Sequence, residues 1–298
     1  MIVILTALDI EHAAISGHLG NAEHQSHRGT EFEVGTLLND PSCTIAVAQT
    51  GVGNLPTAAL TERAITEFDP SAVMFVGIAG GLRDGLDLGD IVIGEHVYAY
   101  HGGRSQDDEF LVRPRSWEMS HAATQKAQRL ARKQTWHGLL PEDSSTPEPK
   151  VHSGPIAAGD VVLDSAKSDI AERIRCNYND AVAVEMETAG FAKAAHMNER
   201  TPMAVIRGIS DHAGGSKNTT DRGGWRMIAA NNAAAFAAVL AAELDTSAPR
   251  RSSSQRPATP AELPHMTNSV GGNASLGQLN GINYGNTYFG PYTAGDRT

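Results

Sequence analysis

Short apolar runs and longer amphipathic stretches alternate over the first 244 positions of the chain, and then the alternation stops. Ile2–Thr6, Thr44–Gln49, Ala72–Val76, Ile91–Tyr100, Pro155–Leu163, Ala181–Glu185 and Met203–Ile209 are apolar or β-leaning runs of strand length. Most lack the polar interruptions of a strand with one wet face, so they predict strands buried on both sides. Helices are expected from Asp9, carrying Ala13, Ala14 and Leu19, and from near Pro56 to Phe68, a favourable place for proline. Two more are expected over Trp117–Trp136 and the alanine-rich Met227–Leu244. Strands alternating with helices predict an α/β domain, its central mixed sheet covered on both faces.

Glycine-rich turns are expected after three of the strands, at Thr50–Gly53, Gly77–Gly81 and Gly208–Asp211. Ligands of open α/β sheets bind at the carboxyl ends of strands, and glycine there admits a ligand close to the backbone. Neither GxGxxG opening a helix nor GxxxxGK[ST] occurs, so a dinucleotide site and a P-loop are unsupported.

Composition narrows the classes further. With 24 basic and 34 acidic side chains in 298 residues, the formal charge is −10. An acidic chain is a poor binder of nucleic acid or of an anionic membrane, although a local basic pocket remains compatible with it. Two cysteines, Cys43 and Cys176, form no disulfide framework and fit reduced thiols in the cytoplasm. The opening residues read as a buried strand rather than a signal peptide, and no run reaches the ~18 to 20 apolar residues of a membrane span. No HExxH or CxxC is present, so neither a metal nor a cofactor is expected.

Beyond residue 244 the chain changes character. Residues 245–267 are rich in Pro, Ser and Arg and predict a flexible linker. Residues 268–298 open with an uncharged stretch, Asn268 to Phe289, in which Val, Leu, Ile, Tyr and Phe interleave with Asn and Gly. Such a segment suits stacked cross-β assembly with asparagine ladders; composition alone equally describes a disordered tail.

Candidate chemistry lies in carboxylates just beyond expected strands: Glu11, Glu185, Glu187 and Asp211. Cleaving a glycosidic bond takes one group to protonate the leaving group and another to activate water. Taken singly, each carboxylate also fits a helix first turn, a cap or a solvated face.

Taken together, Ala7-Leu8-Asp9-Ile10-Glu11, Gly77-Ile78-Ala79-Gly80-Gly81-Leu82, Gly154-Pro155-Ile156-Ala157-Ala158-Gly159-Asp160, Val184-Glu185-Met186-Glu187 and Ser210-Asp211 occur in an order that resembles the methylthioadenosine/S-adenosylhomocysteine nucleosidases of the nucleoside phosphorylase superfamily. The resemblance covers roughly residues 2 to 244 and implies a three-layer α/β fold with a central mixed sheet. It implies that Glu11 deprotonates the attacking water, that Glu187 binds the ribose hydroxyls with Met186 packed on the sugar, and that Asp211, supported by Ser210, protonates N7 of the leaving purine. Gly80 and Val162 fall on the base site. Val161, Val162 and Leu163 stand where that family commonly stacks an aromatic on adenine, a departure that loosens the expected base identity. The phosphorylases carry a phosphate-binding arginine near this turn, whereas here Val73-Met74-Phe75-Val76 leads into it without one and Arg83 lies past it, which implies water rather than phosphate as nucleophile.

Arg104, Arg113 and Arg115 in the 101–116 insertion, with Lys217, Arg222 and Arg226 after Asp211, are candidates for a 5′-phosphate. The segment from Arg207 to Lys217, followed by Trp225, is similar to a superfamily branch found as immune effectors that remove adenine from ATP and related nucleotides. The tail resembles amyloid signalling motifs, which implies a partner receptor of the NTPase type bearing a matching motif. The expectation is therefore a homo-oligomeric adenine-nucleotide N-glycosidase effector. A salvage nucleosidase and a non-catalytic nucleotide sensor are the alternatives.

Overall fold

A computed structural model of the chain describes residues 1–141, 146–214, 220 and 224–245. Its strands are β1 (Ile2–Thr6), β2 (Leu19–His27), β3 (Thr30–Leu37), β4 (Thr44–Gln49), β5 (Ala72–Gly81), β6 (Ile91–Ala99), β7 (Gly103–Ser105), β8 (Phe110–Val112), β9 (Arg115–Glu118), β10 (Val151–Ala158), β11 (Ala183–Glu185) and β12 (Met203–His212). The helices are α1 (Asp9–Ser16), α2 (Asn54–Phe68), α3 (His121–Lys133), α4 (Asp169–Asn177), α5 (Thr188–Met197) and α6 (Trp225–Asp245).

The main sheet runs β11-β10-β6-β12-β5-β1-β4-β3-β2, with β9 beside β6. β4, β1, β5 and β12 are mutually parallel, whereas β2, β3 and β9 are antiparallel to their neighbours. Successive β1 residues point to opposite layers: Ile2 and Ile4 join Phe236 and Leu240 of α6, while Val3 and Leu5 join Phe75 and Phe191 on the α5 side. Both faces of the strand are dry, which is why its sequence reads as a continuous apolar run. The expected three-layer mixed sheet is the observed one.

Several boundaries differ from the sequence reading. α1 stops at Ser16 and Leu19 begins β2. Gly77–Gly81 and Gly208–Asp211 are not turns. They lie within the closing stretches of β5 and β12, paired with each other, and Gly80–Gly81 also pairs with β11. Trp117 belongs to β9, so the single helix expected over 117–136 divides into a strand, α3 and a 3-10 turn at Thr135–Leu139. The strand expected at 155–163 lies earlier, as β10. β2 and β3, α4 and α5, and the β7–β8 hairpin were not expected.

By length and hydropathy α6 alone among the described residues would qualify to cross a bilayer, but 67% of its apolar window is buried inside the protein, against β5, β12 and α1. The Met1 ammonium donates to Asp245 Oδ1 at 2.6 Å, and Ser71 donates to the same oxygen. The 268–298 tail and the linker beyond Asp245 lie outside the described residues.

Candidate active site

The carboxyl ends of β1, β5, β11 and β12 meet around a cavity of about 280 Å³, near the small end for a ligand pocket. Each contributes by a distinct local device. Glu11 sits in the first turn of α1, and its Oε2 accepts the N–H groups of Ala7 (2.7 Å) and Leu8 (2.9 Å). That contact closes the helix start, where a negative charge is favoured. Its Oε1 accepts the N–H of Ile78 at 2.8 Å, tying α1 to the end of β5.

Glu187 lies between β11 and α5, its side chain turned away from the helix start, and its Oε1 accepts the Gly53 N–H at 3.1 Å. The Thr50–Gly53 loop reaches it because Gly51 and Gly53 adopt φ of +76° and +104°, a region that other residues avoid. Asn54 locks the loop by accepting the Gly190 N–H on its Oδ1 at 2.9 Å.

Ser210 and Asp211 are consecutive yet both line the cavity. In a regular strand they would face opposite sides. The register of β12 against β5 slips between Ile209 and Asp211, and this bulge turns both side chains inward. Ser210 Oγ donates to Asp211 Oδ2 at 2.9 Å, and both residues are buried. Gly80 lies directly beside Asp211 in the register, leaving that wall of the cavity without a side chain.

Arg207 completes the cluster and was given no role in the sequence reading. It is fully buried on β12, hydrogen-bonded to Glu185, 3.9 Å from Glu187 Oε2, with its guanidinium 4.6 Å from the Phe75 ring centre. A methyl group on Gly77 would overlap both Arg207 and Glu11, so these two charges share the space above one glycine. An arginine inside an otherwise apolar strand, Met203–Ile209, was the available signal. Among the described residues its Nε and Nη1 have no acceptor, an arrangement that buried donors seldom tolerate without a ligand.

The electrostatics follow from this crowding. Burial raises the Glu11 carboxyl, opposed by Arg207 and by the three backbone N–H groups. Burial and then the neighbouring Glu185 push Glu187 up to about 7, against the pull of Arg207 and the Gly53 N–H.

Glu11, Glu187, Met186, Asp211, Ser210, Gly80 and Val162 therefore all line one cavity, together with Val161 and Leu163. Met186 is half-buried, and Val162 stands 52% exposed at the mouth. Arg104, Arg113 and Arg115 do not line it: Arg104 lies on β7, Arg113 follows β8 and Arg115 begins β9, and all three are exposed. Basic composition carries no position, and none of the three lines the cavity. Lys217 and Arg222 lie outside the described residues. Arg226, at the start of α6, does line the cavity.

Comparison with known proteins accords with this geometry. The Phosphorylase superfamily model matches residues 1–242. An Escherichia coli (strain KTE188) protein described as ATP nucleosidase Cap17 is 28% identical over 239 residues, 73% of this chain. The chain spans about half of that relative, 47% of its length. A 5′-methylthioadenosine/S-adenosylhomocysteine nucleosidase of Shewanella denitrificans is also 28% identical, covering 81% of this chain and 98% of its own. The corresponding Neisseria meningitidis nucleosidase, solved with methylthio-immucillin-A, superposes with a TM-score of 0.66 at 26% identity, over 80% of this chain and 97% of its own. Matched along nearly the whole of its described sheet and helices, the chain belongs to the phosphorylase superfamily.

Proposed function

We propose that the domain hydrolyses the N-glycosidic bond of an adenine nucleotide, ATP or a close relative, and releases free adenine. The observation that carries this reading is the meeting of Glu11, Glu187 and Asp211 in one cavity beside the buried Arg207. Water held by the Glu11 carboxylate attacks C1′ and gives its proton to Glu11, whose ionised form the buried Arg207 favours from behind the cavity. Glu187 accepts the ribose hydroxyls while Met186 packs on the sugar. The C1′–N9 bond breaks as Asp211, oriented by Ser210, delivers a proton to N7. The sugar is cationic in the transition state, so the surrounding carboxylates stabilise it more than they stabilise the substrate. Gly80, Val162 and Leu163 wall the base.

The role of Glu187 makes a pH prediction. It must be ionised to accept hydroxyl protons, and its carboxyl titrates near 7. kcat/KM for adenosine is therefore expected to fall about tenfold per pH unit on the acid side of that value. Glu187→Gln is expected to lose both activity and this limb. A bend near the ordinary carboxylate value of 4.5 instead would remove Glu187 from the role.

A second reading has its own support: Leu8, Val52 and Val161 at the cavity rim suit an apolar 5′-thio substituent, as in the salvage nucleosidases. Purified protein incubated with ATP, AMP, adenosine, methylthioadenosine and S-adenosylhomocysteine, without phosphate, separates the two. Adenine from ATP or AMP supports the nucleotide reading, and adenine from the thio-nucleosides alone supports salvage. No release even with phosphate added leaves a sensor. In the nucleotide reading the enzyme acts in the cytoplasm as a homo-oligomeric immune effector, joined to an NTPase-type receptor through the 268–298 tail.

A further inference from the structure

The nucleotide reading, on which this inference rests, leaves the 5′ end of the substrate without a binding group. Asp211 and Gly80 fix the base end of the cavity, Glu187 the ribose and Glu11 the water. Two neighbouring spaces share lining residues with the cavity. One, lined by Tyr178 and His212, shares Leu163, which lies on the base wall. The other is a groove of about 340 Å³ lined by Leu8, Asp9, Ile10, Gly224, Arg226 and Met227, and it shares Leu8 and Arg226. Of these two spaces, the groove is the one that shares no residue with the base wall, so a 5′ substituent directed away from the base enters it.

We infer that the 5′-phosphate leaves through this groove and that Arg226 binds it, so that Arg226 sets the preference for adenine 5′-nucleotides over 5′-thio nucleosides. Arg226 is half-buried and is the one cationic side chain among the described residues lining the cavity. Elsewhere the lining is carboxylate, apolar or the Ser210 hydroxyl, which is engaged by Asp211, and an arginine fork matches phosphate oxygens. The groove lies between the opening turns of α1 and α6, whose positive ends add to the field there. Asp9, exposed in the same groove, opposes it. The two residues therefore have opposite signs of effect on a phosphorylated substrate.

The test uses the full chain and measures kcat/KM for AMP, ATP and adenosine. Arg226→Ala is expected to lower the nucleotide-to-adenosine ratio about 10- to 100-fold, the range of a charged hydrogen bond. Arg226→Lys recovers part of it, and Asp9→Asn raises it. Thermal unfolding of each variant checks that α6 still docks. A wild type that prefers nucleotides, with the ratio unchanged in Arg226→Ala, overturns the assignment of Arg226 and leaves the activity standing. A wild type that releases adenine from thio-nucleosides alone overturns both, and is recognised before any variant is made.

Discussion

Asp211→Asn is expected to lower kcat for adenine release by about 10²- to 10⁴-fold, the usual contribution of a positioned general acid. Asparagine keeps the size of the side chain and an oxygen for the Ser210 hydroxyl, which donates at 2.9 Å to the carboxylate. What it lacks is a transferable proton. The loss should therefore depend on the leaving group. A riboside bearing p-nitrophenol, which departs without protonation, should be cleaved by the variant nearly as well as by the wild type. Adenosine turnover within tenfold of wild type would exclude Asp211 as the acid. An equal loss on both substrates would point to damage of the cavity rather than of proton transfer.

The second large effect is expected at Arg207. Its guanidinium is fully buried beside Glu185 and Glu187 and shares the space over Gly77 with Glu11. Arg207→Met keeps most of the volume and removes the charge. Taking one partner from a buried ion pair costs about 3–5 kcal/mol, so the midpoint of urea unfolding should fall markedly. Arg207 lowers the titration of both Glu11 and Glu187. Without it both carboxyls protonate at higher pH, and the acid limb of kcat/KM should move above 7. Raised carboxyl values carry a definite sign for stability. Below the unfolded value of 4.5 these groups cost nothing, and stability is lost as pH rises through the folded values. The stability deficit of Arg207→Met should accordingly shrink at acid pH. A deficit independent of pH would mean that Arg207 acts by packing alone.

What the sequence disclosed follows from which physical signals are local. β1 and β4 were legible to the residue because their runs are dry on both faces. β2 escaped because most of its residues are exposed at the sheet edge, leaving no apolar period to read. Gly77–Gly81 read as a turn because glycine marks turns in isolation; only the pairing of β11 and β12 on its two sides makes it strand. Glu11, Glu187 and Asp211 stood out as carboxylates after apolar runs. Arg207 did not, since its role lies in the acids around it, contributed by two other segments distant in sequence. Arg104, Arg113 and Arg115 have the charge that a phosphate needs, but charge in a sequence carries no position, and none of them lines the cavity.

The bond between the Met1 ammonium and Asp245 lies far from the catalytic carboxylates. Both groups lie at the amino-terminal edge of the parallel strands, whereas the catalytic carboxylates stand at the opposite edge, about 17 Å along a five-residue strand. The ammonium and the carboxylate thus clasp the first strand to the last described helix at the side remote from the chemistry, and breaking that clasp would leave the cavity walls untouched.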